Sequence, residues 1–386
     1  MTRCTFAHID LAALQSNLRA IADFLALSEP RAPSARGEAK GSAPGIIAVV
    51  KANAYGHGSP AVGLALQDAG ATMLACADIE EAIVLRNAGV KTEILIFGAL
   101  SVSDVAGVFE HDLTPTISTP SAGRSLQAAA AARGRRLVCH LKIDTGMNRL
   151  GLRFDNLEHT LPEVVASPNL DVQGVYTHFA TADDPDHPLF GIQRERFEQV
   201  LAKLPTFGIQ PPLRHAANSA ATLRDSRVWF DLVRPGYLLY GVVPPPLAST
   251  IPLKPVMSLR SRVVSIKGMR PGETAGYGAR WAAERPARVA VVPAGYADGL
   301  DTRLGGRGHV LVRGRRARIV GSVCMDMITI DVTDVEVETG DEVVIVGKQG
   351  EQQIDVREIA DTIGANPLEV LCRVGTRIER IYDSVS

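Results

Sequence analysis

The chain of 386 residues is too long for one ordinary domain and fits two. With 46% hydrophobic and 22% charged residues it has the composition of a soluble globular protein, and a net charge of -1 offers no basic field to nucleic acid or to an acidic membrane. No apolar run reaches the roughly 18 residues that a bilayer span requires.

The amino terminus, Met1-Thr-Arg-Cys-Thr-Phe-Ala-His-Ile-Asp10, has neither the apolar core nor the cleavage site of a signal peptide. Cys4, Cys76, Cys139, Cys324 and Cys372 are odd in number, scattered and without metal-ligand spacing, as reduced thiols of a cytoplasmic protein would be. From Ile9 to Leu18 the apolar spacing is helical, with Asp10 placed as the cap. Residues 28–44 are small, polar and proline-rich, the composition of a mobile surface loop. The stretch Ile46-Ile-Ala-Val-Val-Lys51-Ala-Asn-Ala-Tyr55-Gly-His57-Gly58 follows. Its apolar residues, mostly β-branched, read as a strand buried on both faces, and the lysine stands directly after it. Burial disfavours the ammonium form, so such a lysine becomes an amine nucleophile of the kind a Schiff base with an aldehyde requires. The competing reading is a lysine that ends a strand and snorkels to water.

After Lys51 a rhythm sets in of short apolar run, turn and amphipathic helix. The runs begin at Met73, Ile94, Leu113, Leu137, Val172, Leu213 and Val228, the last ending at Val233. With the first strand they make eight β/α units, the content of a TIM (β/α)8 barrel. A doubly wound sheet would carry a Gly-x-Gly-x-x-Gly turn after its first strand, and none is present. From about residue 255 the runs starting at Val263, Arg288, His309, Ile328 and Asp341 are separated by short glycine turns, which predicts a mostly-β carboxyl-terminal domain with one short helix from Val356 to Ile363. The predicted division is therefore 1–254 and 255–386.

Val49-Val-Lys51-Ala-Asn-Ala-Tyr55-Gly-His57-Gly58 closely resembles the pyridoxal phosphate (PLP) attachment motif of the alanine racemases, and the resemblance extends over nearly the whole chain. Lys142-Ile-Asp144-Thr-Gly-Met-Asn-Arg149-Leu-Gly151 is similar to a second family motif. The resemblance implies that Arg149 orients the substrate carboxylate and a phenol near the cofactor, and that Lys142 matches a lysine carbamylated in some members to brace this arginine. A surface ion pair of Arg149 with Asp144 is the plain alternative. His178 resembles the histidine that stacks on the pyridine ring, although a lone histidine at a strand end more often packs. Ser219, Gly236 and Tyr237 resemble phosphate-binding positions after the seventh and eighth strands, assisted by the Tyr55 hydroxyl; barrels commonly cradle phosphate there.

Arg234 resembles the arginine that faces the pyridine nitrogen. A guanidinium has no acceptor and keeps its proton, so that nitrogen stays unprotonated and the cofactor is a weaker electron sink. Gly276-Tyr277-Gly278 resembles the catalytic tyrosine motif; by itself such a run is a turn with a packed ring. The resemblance implies two bases, Lys51 on one face of the substrate and Tyr277 of the partner subunit on the other. A phenol titrates at about 10 in isolation, so His178 and Arg234 are the neighbours expected to tune it. Tyr296 resembles a tyrosine lining the substrate entrance, and Met325 and Asp326 resemble residues reaching the partner's active site. The implied protein is a cytoplasmic homodimer without metal, nucleic acid or membrane, interconverting L- and D-alanine for peptidoglycan.

The tail departs from the family pattern at Leu368-Glu369 and Arg377-Ile378-Glu379-Arg380, and Thr376 stands where some relatives have a tyrosine. These changes motivate a serine or broad-specificity racemase as the alternative. A non-catalytic PLP carrier would lack the second domain, and a decarboxylase of the same fold would need a catalytic cysteine motif that is missing.

Overall fold

The computed structural model describes residues 4–27, 43–98 and 105–383; residues 28–42 of the predicted surface loop lie outside them. Two compact units form. One comprises the residues of 15–54 and 59–253, and the other those up to Leu14, 55–58 and 254 onward.

The first unit is the predicted barrel. Its eight strands in chain order are Gly45–Val49, Met73–Cys76, Ile94–Ile96, Thr116–Ile117, Leu137–Asp144, Leu170–Tyr176, Leu213–Asn218 and Leu232–Arg234. All neighbours pair in parallel, and the eighth strand returns to the first through Leu232–Gly45 and Val233–Ile46. The ring is completed by a parallel bridge between Leu95 and Thr114, where Ile96 N donates to Thr114 O (2.9 Å) and Thr114 N to Ile94 O (2.9 Å). Inward-facing Ile47, Met73, Ala75, Leu95, Leu213 and Leu232 fill the interior, each large side chain contributing about 1.5–3 kcal/mol.

Two strand predictions need correcting. The fourth strand is only two residues long. The segment proposed as the eighth begins instead as a short helical turn, Ser226–Val228, capped by Asp225. Trp229 there points inward, its indole N–H donating to Thr222 O (2.9 Å), and Phe230 is left-handed at φ +50°. The strand can start only afterwards, at Leu232.

Helix starts follow capping chemistry. Asp10 Oδ1 accepts from Ala13 N (2.7 Å), Asp78 Oδ1 from Glu81 N (2.9 Å) and Asn218 Oδ1 from Ala221 N (2.9 Å). The predicted first helix is observed as Leu11–Leu27.

The second unit is built on a ten-stranded sheet, antiparallel except where Phe6–Ile9 runs parallel to Glu379–Tyr382. Phe6–Ile9 also pairs with Met257–Arg262. The predicted helix Val356–Ile363 is present, and a second, Pro367–Cys372, follows it. Residues 56–58 belong to this unit. Gly56 and Gly58 have φ of +83° and +95°, and a Cβ would strike Leu371 O at the first and the Tyr382 hydroxyl at the second. The glycines of Gly-His-Gly are thus required on both backbone and steric grounds.

One glycine in the barrel can be tested directly. A Cβ on Gly174 would lie 2.6 Å from three ring atoms of buried His140, whereas one on Gly191, early in the helix Leu189–Lys203, meets nothing within 4 Å. Gly174→Ala should cost about 1–3 kcal/mol in urea unfolding, and Gly191→Ala should gain about 0.4–1 kcal/mol. Equal effects from the two would contradict this packing.

Candidate active site

Lys51 lies two residues past the first barrel strand, after Val50, and is half-buried. The next four residues, Ala52, Asn53, Ala54 and Tyr55, all take φ of +50° to +54°. A left-handed turn costs L residues roughly 1–2 kcal/mol each. Ala54 N donates to Val50 O (2.8 Å), Ala52 N to Glu81 Oε1 (2.6 Å) and Ser59 N to Asn53 Oδ1 (2.8 Å), so the strain is held from several sides.

Arg234, the last residue of the eighth strand, is buried. Its Nη2 donates to Thr177 O (2.8 Å), Ala216 O (2.9 Å) and His178 Nδ1 (3.2 Å), and its Nη1 bonds His215 Nδ1 (2.9 Å). Burial lowers its pKa to about 10, which leaves it charged at neutral pH. Because a guanidinium can only donate, His215 Nδ1 must be the bare nitrogen and its Nε2 must carry the proton. That proton is donated to His140 Nδ1 (2.9 Å), so His140 is protonated on Nε2, a buried atom with no partner among the described residues. Burial and the nearby guanidinium hold His140 at about 3 and lower His178 and His215 as well, and all three rings are neutral. Tyr176 stacks on His215, with centroids 4.6 Å apart, and lies beneath Arg234 and the Lys142 ammonium at 5.3 and 5.6 Å.

Lys142 sits inside the fifth strand, buried, with no carboxylate within ion-pair distance among the described residues. Burial first, then Arg149 and Arg234, lower its pKa to about 8. Arg149 is exposed. The proposed ion pair with Asp144 is not formed, since Asp144 Oδ1 instead accepts from Gly146 N (2.9 Å) and Asn148 N (3.1 Å). Gln193, fully buried, bridges the two neighbouring loops by donating to His178 O (3.0 Å) and Thr145 Oγ1 (3.2 Å) while accepting from Ala180 N (2.9 Å). Ser219 Oγ accepts from Gly236 N (2.9 Å), tying together the loops after strands seven and eight, and Tyr237 opens the short helical turn beyond.

Lys51, Lys142, Arg149 and Arg234 are close enough that the other three depress Lys142. A cluster of four cations has a deficit of anions, and this donor set fits a group carrying phosphate together with a carboxylate-bearing substrate.

In the second unit, Tyr277 stands at the tip of the hairpin Thr274–Ala275/Trp281–Ala282, flanked by Gly276 and Gly278, both at φ +74°. Its ring is not packed: the residue is 78% exposed. Tyr296, Met325 and Asp326 are exposed too. Tyr296 N donates to Cys324 O (3.0 Å) and Ala297 N to Met325 O (3.0 Å). Arg377 then fixes this loop from below, its Nε on buried Asp298 Oδ1 (2.8 Å) and its Nη2 on Asp326 Oδ1 (2.8 Å). Sequence reasoning did not single out His140, Tyr176, Gln193, His215 or Glu81, and it named Arg377 only as a departure in the tail. The signal for His140 was present, an imidazole within the apolar run 137–141.

A parallel barrel that brings Lys51, Arg149 and Arg234 near a buried lysine, and that is followed by a β unit with an exposed tyrosine, defines a class of two-unit barrel enzymes handling anionic small molecules. Residues 9–244 match the family "alanine racemase, N-terminal domain" and residues 256–382 "alanine racemase, C-terminal domain". The alanine racemase of Halothermothrix orenii is 38% identical over 99% of this chain and 97% of its own. The crystal structure of alanine racemase from D-cycloserine-producing Streptomyces lavendulae superimposes with a TM-score of 0.92 at 34% identity, covering 100% of this chain and 98% of that one. That of Bartonella henselae, with covalently bound pyridoxal phosphate, gives 0.83 at 29% identity over 98% and 99%. The chain belongs to the alanine racemase family. Among the described residues no helix is long and apolar enough to cross a membrane.

The neutral histidines have a consequence for stability. An unfolded histidine takes up a proton below about pH 6.5, whereas His140 folded does so only near 3. The unfolded chain therefore binds more protons across that interval, and stability falls as pH drops from about 6.5 towards 3. His140→Gln should be less stable at neutral pH yet show a shallower fall, by up to about 1.4 kcal/mol per pH unit. Urea melts at a series of pH values check this; an unchanged slope contradicts it.

Proposed function

We propose that this protein interconverts L- and D-alanine as a PLP-dependent homodimer, using Lys51 of one subunit and Tyr277 of the other as its two bases. The observation that carries the reading is Arg234, a buried and charged donor at the end of the eighth strand, beside histidines that must be neutral. The family match and the cofactor named for the Bartonella henselae relative support it.

When bound, the cofactor supplies an aldehyde for the amino group and a ring that withdraws electrons from the bond to the α-hydrogen. Lys51 would hold the cofactor, and its Nζ would take or return the α-proton on one face of the substrate. Tyr277 does the same from the opposite face at its hydroxyl oxygen. Arg234 would donate a hydrogen bond to the ring nitrogen without yielding its proton, which would limit charge delocalisation and disfavour transamination. His178 offers a flat neutral ring to the cofactor, while Ser219, Gly236, Tyr237 and the Tyr55 hydroxyl serve the phosphate. Arg149 receives the substrate carboxylate, and Met325, Asp326 and Tyr296 shape the entrance from the partner. A β domain that completes the active site belongs to the same proposal, with the predicted division 1–254 and 255–386 amended so that residues 4–14 and 55–58 join the β unit, as do a cytoplasmic location and supply of D-alanine to peptidoglycan.

Lys142 is proposed to be carbamylated. An amine titrating near 8 offers carbon dioxide a larger neutral fraction than an ordinary lysine, and the product would turn a repulsive neighbour of Arg149 into an anionic brace. The mass of the tryptic peptide bearing Lys142, measured without acid, should carry one added carboxyl group; an unmodified peptide under carbon dioxide contradicts it.

D-alanine formation from L-alanine by purified enzyme with PLP tests the whole reading. Tyr277→Phe should lower the rate by about 10²–10⁴-fold while the bound-cofactor absorbance persists. Serine or lysine turnover in place of alanine would keep the mechanism and change the substrate, the alternative that Thr376 and the altered tail motivate. Bound cofactor without turnover of any amino acid would point to a carrier and overturn the proposal.

A further inference from the structure

Glu81 lies in the first turn of the helix Ile79–Asn87, which follows the second barrel strand. Its two carboxylate oxygens are used separately: Oε1 accepts from Ala52 N at 2.6 Å and Oε2 from Ala77 N at 2.8 Å. Ala77 is the first residue past the second strand, and Ala52 directly follows Lys51. The strands themselves are hydrogen-bonded neighbours, with Val49 opposite Ala75. One side chain therefore clamps the carboxyl ends of both strands, at the point where the chain breaks into its left-handed run.

That break leaves the Ala52 amide without a strand partner, and at this exposed position the Glu81 carboxylate takes the place of water as its acceptor. A carboxylate gives a shorter and stronger bond than a neutral oxygen. We propose that Glu81 is a positioning residue for Lys51. By fixing the Ala52 amide it sets the direction in which the Lys51 side chain leaves the strand, and hence the distance from Nζ to the proton it transfers. This rests on the assignment of Lys51 as base and attachment point. An acidic residue in a first turn also favours its own helix, but that effect would not distinguish one proton transfer from another.

The distinction is measurable on the holoenzyme. Glu81→Ala removes both acceptors; Glu81→Gln keeps the size and one oxygen but turns an N–H donor towards the other amide. Borohydride reduction and peptide mapping first locate the cofactor: a label anywhere but Lys51 defeats the Lys51 assignment, independently of Glu81. Racemisation of α-deuterated L- and D-alanine then reports each proton transfer separately. The Ala variant should lose about 10- to 100-fold in kcat, with a smaller loss in the Gln variant. The isotope effect should rise for the enantiomer whose proton Lys51 removes and fall for the other. A merely structural defect lowers the amount of active enzyme and leaves both isotope effects at their wild-type values, since inactive molecules contribute nothing. If both stay unchanged in the variants the inference is overturned. The Gln variant carries the test should the Ala variant fail to fold.

Discussion

Taking the Arg234 guanidinium out of water is expensive unless acceptors replace the lost hydration, and much of the barrel mouth is arranged around supplying them. Two backbone carbonyls and two imidazole nitrogens converge on it. The arginine has no acceptor to offer in return, so it dictates the tautomer of His215, and through His215 that of His140. The ring of His140 occupies space that only a glycine at position 174 leaves open, at a register shift between the fifth and sixth strands. A requirement at the end of the eighth strand thus propagates to a small residue on the sixth.

The same mouth holds two further departures from easy folding. Three further basic groups press on buried Lys142, and four residues after Lys51 run left-handed. Neither stabilises the chain alone. Both make sense if an anionic cofactor and substrate complete the charge balance, and if a nucleophilic lysine must be aimed rather than merely present. Local strain and charge excess are where stability has been exchanged for function.

Much of this was legible in the sequence. The barrel strands show as apolar runs because a parallel sheet covered on both faces buries each residue. No strand was read at Phe6–Ile9, since four residues alternating between half-buried and buried carry too short a pattern. Arg315–Val320 was overlooked because Arg315, Arg316 and Arg318 face solvent and interrupt its apolar side. The site residues that stood in extended motifs were nameable one by one. Those that bridge two segments through their polar atoms were not: Gln193 and Glu81 lie on helices whose residue pattern does not say which polar atom joins two loops. Arg377 looked like a departure in the tail, and its bonds to Asp298 and Asp326 exist only once the fold brings residues from separate loops together.

The claim most exposed to refutation is that one catalytic centre draws Lys51 and Tyr277 from different subunits. Lys51→Ala and Tyr277→Phe homodimers, each inactive, would be unfolded together and reassembled at equal concentration. Random pairing makes half the dimers mixed, and each mixed dimer has one site carrying both substitutions and one carrying neither, so alanine racemisation should return to about a quarter of the wild-type value. If the two residues acted within one chain, every site would still lack a base and mixing would restore nothing.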